Sequence, residues 1–210
     1  MSPQSCGRRD LCSIFGDGTV GLLAAGVVVA DCDRAGLRAL AGGWVTRLLV
    51  FLHGTTIMHA GGVGRTRAER AEQVRSGADP SVADYAAYVP IGDAVGKLQR
   101  WREQGADITY LSSHRNPDDV AKDAAVLRGH GFPPGPVLAR RAGENYGELV
   151  GRELPEVLIE DDCESIGAAH VAYPQVRHDL QARITSIVVP EFGGIDHLPD
   201  SLPDLLALNP

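Results

Sequence analysis

Val157-Leu158-Ile159-Glu160-Asp161-Asp162-Cys163-Glu164-Ser165-Ile166-Gly167 is the stretch on which the fold turns, because three consecutive carboxylates directly follow a short apolar run. A short apolar run reads as a buried strand. Residues that follow a buried strand of an open α/β sheet are delivered into the crevice at its carboxyl end, where ligands bind. Packed acidic oxygens there suit a hard cation such as Mg²⁺. A second reading is open on these residues alone: Asp161 or Asp162 caps a helix that begins near Glu164, with acids favoured by the helix dipole.

Upstream, strands and helices alternate. Arg47-Leu48-Leu49-Val50-Phe51-Leu52 reads as a buried strand ended by His53-Gly54-Thr55-Thr56. Thr66, with Glu69 three residues on, predicts a capped polar helix to about Ser76. Ile91, Val95, Leu98 and Trp101 fall on one stripe of a helix over 92–104, which Gly105 stops. Asp107 to Leu111 is a strand that delivers Ser112-Ser113-His114-Arg115, and Asp118 and Asp119 open a helix to about His130. Val137-Leu138 is a short strand, 145–154 a helix, 157–159 the strand quoted above, and 184–189 a last strand. This alternation predicts parallel crossovers and a three-layer, Rossmann-like α/β sheet.

Composition narrows the partners. With 210 residues, 44% hydrophobic and 22% charged, the chain suffices for one domain with a sizeable core. A formal net charge of −7 argues against nucleic acid or an anionic membrane as the main partner and leaves a small molecule or a protein. Cys6, Cys12, Cys32 and Cys163 show no CxxC spacing, so neither a zinc site nor a disulfide framework is expected. The apolar stretch 20–30 is too short to span a bilayer. The expectation is a soluble, cytoplasmic protein.

The order strand, Ser112, helix, Arg140-Arg141, helix, strand, Asp161-Asp162 resembles the haloacid dehalogenase-like superfamily of Mg²⁺-dependent phosphohydrolases, over roughly residues 45–200 and most specifically from Tyr88 to Asp162. The resemblance implies that Ser112 contacts the transferring phosphoryl group and that Arg141, or its neighbour Arg140, neutralises phosphate charge. It also implies that Asp161 and Asp162 hold Mg²⁺, and that residues 65–88 form a small cap. The superfamily's first motif is a strand followed by Asp-x-Asp-Gly-Thr. Here that place reads Phe51-Leu52-His53-Gly54-Thr55, so Gly-Thr is kept while Phe51 and His53 replace the nucleophile and the acid/base. His53 and Thr55 join the candidate site, His53 as acid/base or phosphoryl acceptor.

Two upstream segments offer substitutes for the first motif. Val27-Val28-Val29-Ala30-Asp31-Cys32-Asp33 is a buried-type strand ending in Asp-x-Asp, and Phe15-Gly16-Asp17-Gly18-Thr19 supplies Gly-Thr with one Asp. Residues 1–44 otherwise differ in composition and read as an extension, with Val45 a candidate start of the domain at 45–210. Two functions follow from the resemblance: a phosphatase-type hydrolase of a small phosphorylated metabolite, or a degenerate relative that binds phosphate and metal as a sensor or interaction protein.

Val50-Phe51-Leu52-His53-Gly54 also resembles the oxyanion loop of α/β-hydrolases, but the Gly-x-Ser-x-Gly elbow which that family needs is absent. Gly61-Gly62-Val63-Gly64 lacks the Walker residues and is expected to be a flexible hinge for the cap. In the tail, Gly193-Gly194 is expected to turn the chain, with Asp196 or His197 as a further polar contributor to the site.

Overall fold

The computed structural model describes residues 45–208. The expectations placed on Cys6, Cys12, Asp17, Asp31, Cys32 and Asp33 lie outside the described residues. The strands are β1 (Arg47–Phe51), β2 (Ile57–Met58), β3 (Val89–Pro90), β4 (Asp107–Leu111), β5 (Val137–Leu138), β6 (Val157–Asp161) and β7 (Thr185–Val189). The α-helices are α1 (Arg67–Ser76), α2 (Ala94–Glu103), α3 (Pro117–Gly129), α4 (Tyr146–Glu153), α5 (His178–Gln181) and α6 (Leu202–Leu206).

Five of the strands form one sheet in the order β5-β4-β1-β6-β7, and every pairing in it is parallel. The central strand is apolar at successive positions because both its faces are covered. Leu48, Val50 and Leu52 pack with Leu98, Trp101, Ile108, Tyr110, Val126 and Leu127, on the side of α2 and α3. Leu49 and Phe51 point the other way, into a cluster with Leu111, Tyr146, Leu149 and Val150 on the side of α4. The result is the helix–sheet–helix, Rossmann-like arrangement expected from the alternating pattern.

From the middle of the sheet the chain builds outward through β4 and β5 in one direction, then returns to the far side of β1 to add β6 and β7. The sheet order reverses there, and crevices open at the carboxyl ends of strands on either side of such a reversal. Phe51 and Asp161 end the two strands concerned.

Three local expectations change. β6 runs two residues further than the apolar run, because Glu160 and Asp161 pair in register with Val188 and Val189 of β7. No helix begins near Glu164; Asp161 Oδ1 accepts from Cys163 N (2.9 Å) and Asp162 Oδ1 from Glu164 N (3.3 Å), so the carboxylates close a turn in which Cys163 takes φ 52°. Gly61 is packed rather than hinge-like: its N–H donates to Ser81 Oγ (3.0 Å), and a Cβ there would lie 2.4 Å from Asp79 Oδ2.

Residues 59–88 are inserted between β2 and β3, which pair antiparallel. The capping box foreseen at Thr66 and Glu69 starts the helix α1 of this insertion. Its side chains reach back to the sheet domain: Arg70 Nη1 donates to Phe192 O (3.0 Å), and Arg67 pairs with Glu164.

Candidate functional site

The carboxyl ends of β1, β6 and β7 bring three acids together. Asp161 is buried; its Oδ2 accepts from Thr55 Oγ1 at 2.7 Å. Glu191, two residues past β7, is also buried, and both its oxygens accept from Ser165, through N and Oγ at 2.6 Å each. Asp162 Oδ1 accepts from Glu191 N at 3.0 Å. One oxygen from each of Asp161, Asp162 and Glu191 lies within 4.8 Å of the others.

Gly54 makes this approach possible. It has φ 79°, and a Cβ would stand 3.0 Å from both Asp161 Oδ2 and Glu191 Cγ. The charge is only partly offset. Burial pushes the Asp161 and Glu191 carboxyls above their ordinary range; donated hydrogen bonds oppose this, and the neighbouring acid charges add to it. An oxygen-only set of three closely placed carboxylates could hold a hard divalent cation.

On the other side of β1, the end of β4 and the helix α3 build a second cluster. Asp123 projects from α3 and is 0% exposed. Three side chains converge on it: His53 Nε2 at 3.0 Å, His114 Nδ1 at 3.1 Å, and Ser112 Oγ at 2.6 Å. Burial works against its ionisation, but the contacts from His114, His53 and Ser112 outweigh it and hold the carboxyl well below the usual carboxylate range. His53 Nδ1 meets Ser113 Oγ at 2.8 Å. The rings of Tyr88 and Tyr85, at the end of the 59–88 insertion, lie 5.5 Å from His53 and 4.0 Å from His114.

Between the clusters stands an apolar pair. Phe51 packs edge-on against Tyr146 (5.1 Å), and Arg140 stacks on the Tyr146 ring with Cζ 3.8 Å from its centroid. Arg140 Nε is buried without a hydrogen-bond partner. The Tyr146 hydroxyl is pushed up chiefly by burial; the positive charges of Arg140 and Arg115 oppose this, and Cys163 and Asp161 add to it. Arg140 and Asp161 therefore act on the same ring.

His53, Thr55, Asp161 and Asp162 all come to the carboxyl ends of the sheet, as their positions after strands suggested. Two candidates are placed differently. The Ser112 hydroxyl is fully buried, its proton committed to Asp123, so the exposed hydroxyl at this strand end is that of Ser113. Arg141 is exposed and gives its backbone N–H to Glu144 Oε2 (2.7 Å), whereas Arg140 holds the place against Tyr146. Asp196 accepts from Asp93 N (2.8 Å) at the start of α2, and His197 is exposed.

Asp123 and Glu191 were not picked out from the sequence, yet both left a signal. Asp123 shares the buried stripe of its helix with Val126 and Leu127, an acid where the pattern calls for an apolar residue. Glu191 follows an apolar strand, as Asp161 ends one.

No family model matches the chain, and no curated protein does. Among solved structures it is similar to the class C acid phosphatase from Bacillus anthracis with tungstate bound, at 17% identity and a TM-score of 0.46, over 76% of this chain and 73% of that one. Fold and site together define a parallel α/β protein with three acids gathered at the carboxyl ends of β6 and β7.

Proposed function

We propose that the chain is a divalent-cation-dependent phosphohydrolase of the haloacid dehalogenase-like kind, acting in the cytoplasm on a small phosphorylated metabolite. The observation that carries this reading is the convergence of a three-carboxylate cluster, a histidine held by a buried aspartate, and a half-buried arginine on one end of one parallel sheet. Asp161, Asp162 and Glu191 would hold Mg²⁺. The cation would neutralise charge on the phosphoryl oxygens, which together with positioning is most of what phosphoryl transfer requires.

The remaining roles belong to side chains. Thr55 fixes the Asp161 carboxylate through its 2.7 Å hydrogen bond. Arg140 supplies a second positive charge for the substrate, and its free Nε–H is a donor in want of an acceptor. His53, oriented by Asp123, accepts and returns the proton in transfer. Residues 65–88 act as a small cap, and their tyrosines limit water access to His53 and His114.

A second reading is favoured by Phe51. Its ring fills the place of the superfamily's nucleophile, packed on Tyr146, and forms no phosphoryl adduct. On that reading the chain keeps the phosphate- and metal-binding half of the site and serves as a sensor or interaction protein. Phosphate release from a panel of small phosphomonoesters with Mg²⁺ separates the two. The hydrolase reading expects turnover that His53→Ala lowers by about 10²-fold or more. Turnover that survives His53→Ala but disappears from a chain starting at Val45 would move the nucleophile to Asp31. No turnover by the folded full chain leaves the binding reading.

A further inference from the structure

We infer that Ser113 is a nucleophile, activated by His53 and Asp123, that takes a phosphoryl group on its Oγ. The three side chains form a continuous chain of contacts, Ser113 Oγ to His53 Nδ1 at 2.8 Å and His53 Nε2 to Asp123 Oδ1 at 3.0 Å. Nucleophile, base and orienting carboxylate within hydrogen-bond reach of one another is the arrangement that activates a serine, whatever fold carries it. Here the three come from the loop after β4, the loop after β1 and the middle of α3.

The protonation pattern follows from Asp123. It is buried and held ionised, so it only accepts, and the hydrogen between it and His53 resides on Nε2. With that hydrogen on Nε2, the His53 Nδ1 lone pair faces Ser113 and receives its hydroxyl (2.8 Å) and its backbone N–H (3.4 Å). Asp123 also meets His114 Nδ1 (3.1 Å) and Ser112 Oγ (2.6 Å), so with His53 three side chains hold its carboxylate in place. Ser112 and Ser113 thus differ in role: the first is 0% exposed and spends its proton on the carboxylate, while the second is exposed.

The inference supplies the acceptor that Phe51 does not. Ser113 Oγ attacks phosphorus, the Oγ–P bond forms, and the bond from phosphorus to the leaving oxygen breaks with its electron pair going to that oxygen. The serine proton passes to His53 Nδ1 and on to the leaving group. Water, deprotonated by His53 Nδ1, then attacks the same phosphorus; the Oγ–P bond breaks with its electron pair going to Oγ, which takes the proton back from His53 Nδ1, so that inorganic phosphate leaves and the Ser113 hydroxyl is restored. The substrate class, a phosphomonoester, rests on the phosphohydrolase reading, whereas the reactivity of Ser113 is measurable without it.

The test treats the full chain with diisopropyl fluorophosphate, from which an activated serine displaces fluoride, and locates the adduct by peptide mass spectrometry. The expected result is an adduct on Ser113, absent from Ser113→Ala and formed about 10²-fold more slowly in His53→Gln. Ser113 is exposed, so the alanine variant should keep the wild-type circular dichroism spectrum. No adduct on the wild type, an adduct on another residue, or equal rates in wild type and His53→Gln would overturn the inference. Labelling of Ser113 without phosphomonoester turnover would uphold the activated serine and sink the phosphohydrolase reading. Full turnover by Ser113→Ala would do the opposite.

Discussion

Asp161 holds its place through single contacts, so single atoms should matter there. Thr55→Val removes the hydroxyl that donates to Asp161 Oδ2 and leaves a buried acceptor short of a partner. The expected loss is about 1–3 kcal/mol in urea unfolding without added cation. Asp161→Asn acts in the opposite direction in EDTA, because it takes one charge from a cluster whose members raise one another's pKa. Its melting temperature in EDTA should equal or exceed that of wild type, and the rise produced by millimolar Mg²⁺ should vanish. A variant less stable in EDTA that still gains from Mg²⁺ would remove Asp161 from the cation site.

Residues of this kind were legible in the sequence in proportion to how local their signal is. Asp161, Asp162, His53 and Thr55 announce themselves by following apolar strands. Asp123 does not, since its partner His53 is 70 positions away and its meaning depends on how α3 faces the sheet. Ser112 and Ser113 are chemically identical neighbours, and only the direction in which the end of β4 leaves the sheet decides which is buried.

At the scale of elements, the inserted segment 59–88 carries the tyrosines that lie against His53 and His114. Its ties include the capping box of α1, the bonds from Arg70 to Gly62 O (2.9 Å) and Phe192 O (3.0 Å), the Arg67–Glu164 pair, and the packing of Ala71 and Val74 with Met58, Ile91 and Phe192. Arg70→Ala removes two of these ties and should speed amide hydrogen exchange across 59–88 while leaving β1, β4 and β6 protected. Uniform protection in that variant would show that the segment is held by something else. Thr66→Ala should cost about 1 kcal/mol through loss of the cap.

The elements themselves read well from sequence wherever a pattern was self-contained. The central strands are apolar on both faces, and the Thr66 capping box lies within four residues. The end of β6 was misplaced because Glu160 and Asp161 extend the strand only through pairing with β7, which no local pattern records.

For the whole molecule, the acid-rich sheet end predicts an unusual dependence of stability on pH. Burial raises Glu160 to about 7 despite hydrogen bonds from Ala172 N and Tyr173 N, and it raises Asp161 and Glu191 as well. A carboxyl whose pKa is higher folded than unfolded favours the native state while protonated. Its contribution is complete below the unfolded value of about 4.3 and is lost as pH rises through the folded value. Without cations, stability should therefore fall between about pH 4.5 and 7, and Glu160→Gln should flatten that slope. Asp123 works the other way: its depressed pKa stabilises the fold above the ordinary carboxylate range, and that contribution disappears as pH falls further. Denaturant midpoints at a series of pH values in EDTA would check both limbs; a cation-free protein steadily more stable from pH 4.5 to 7 would contradict the first.

The phosphohydrolase reading stands on a cation held by Asp161, Asp162 and Glu191, and anomalous diffraction from crystals grown with Mn²⁺ tests it most directly. The predicted result is one strong anomalous peak among those three carboxylates, absent from Asp161→Asn. A map with no peak there, or with its peak among His53, His114 and Asp123, would contradict it.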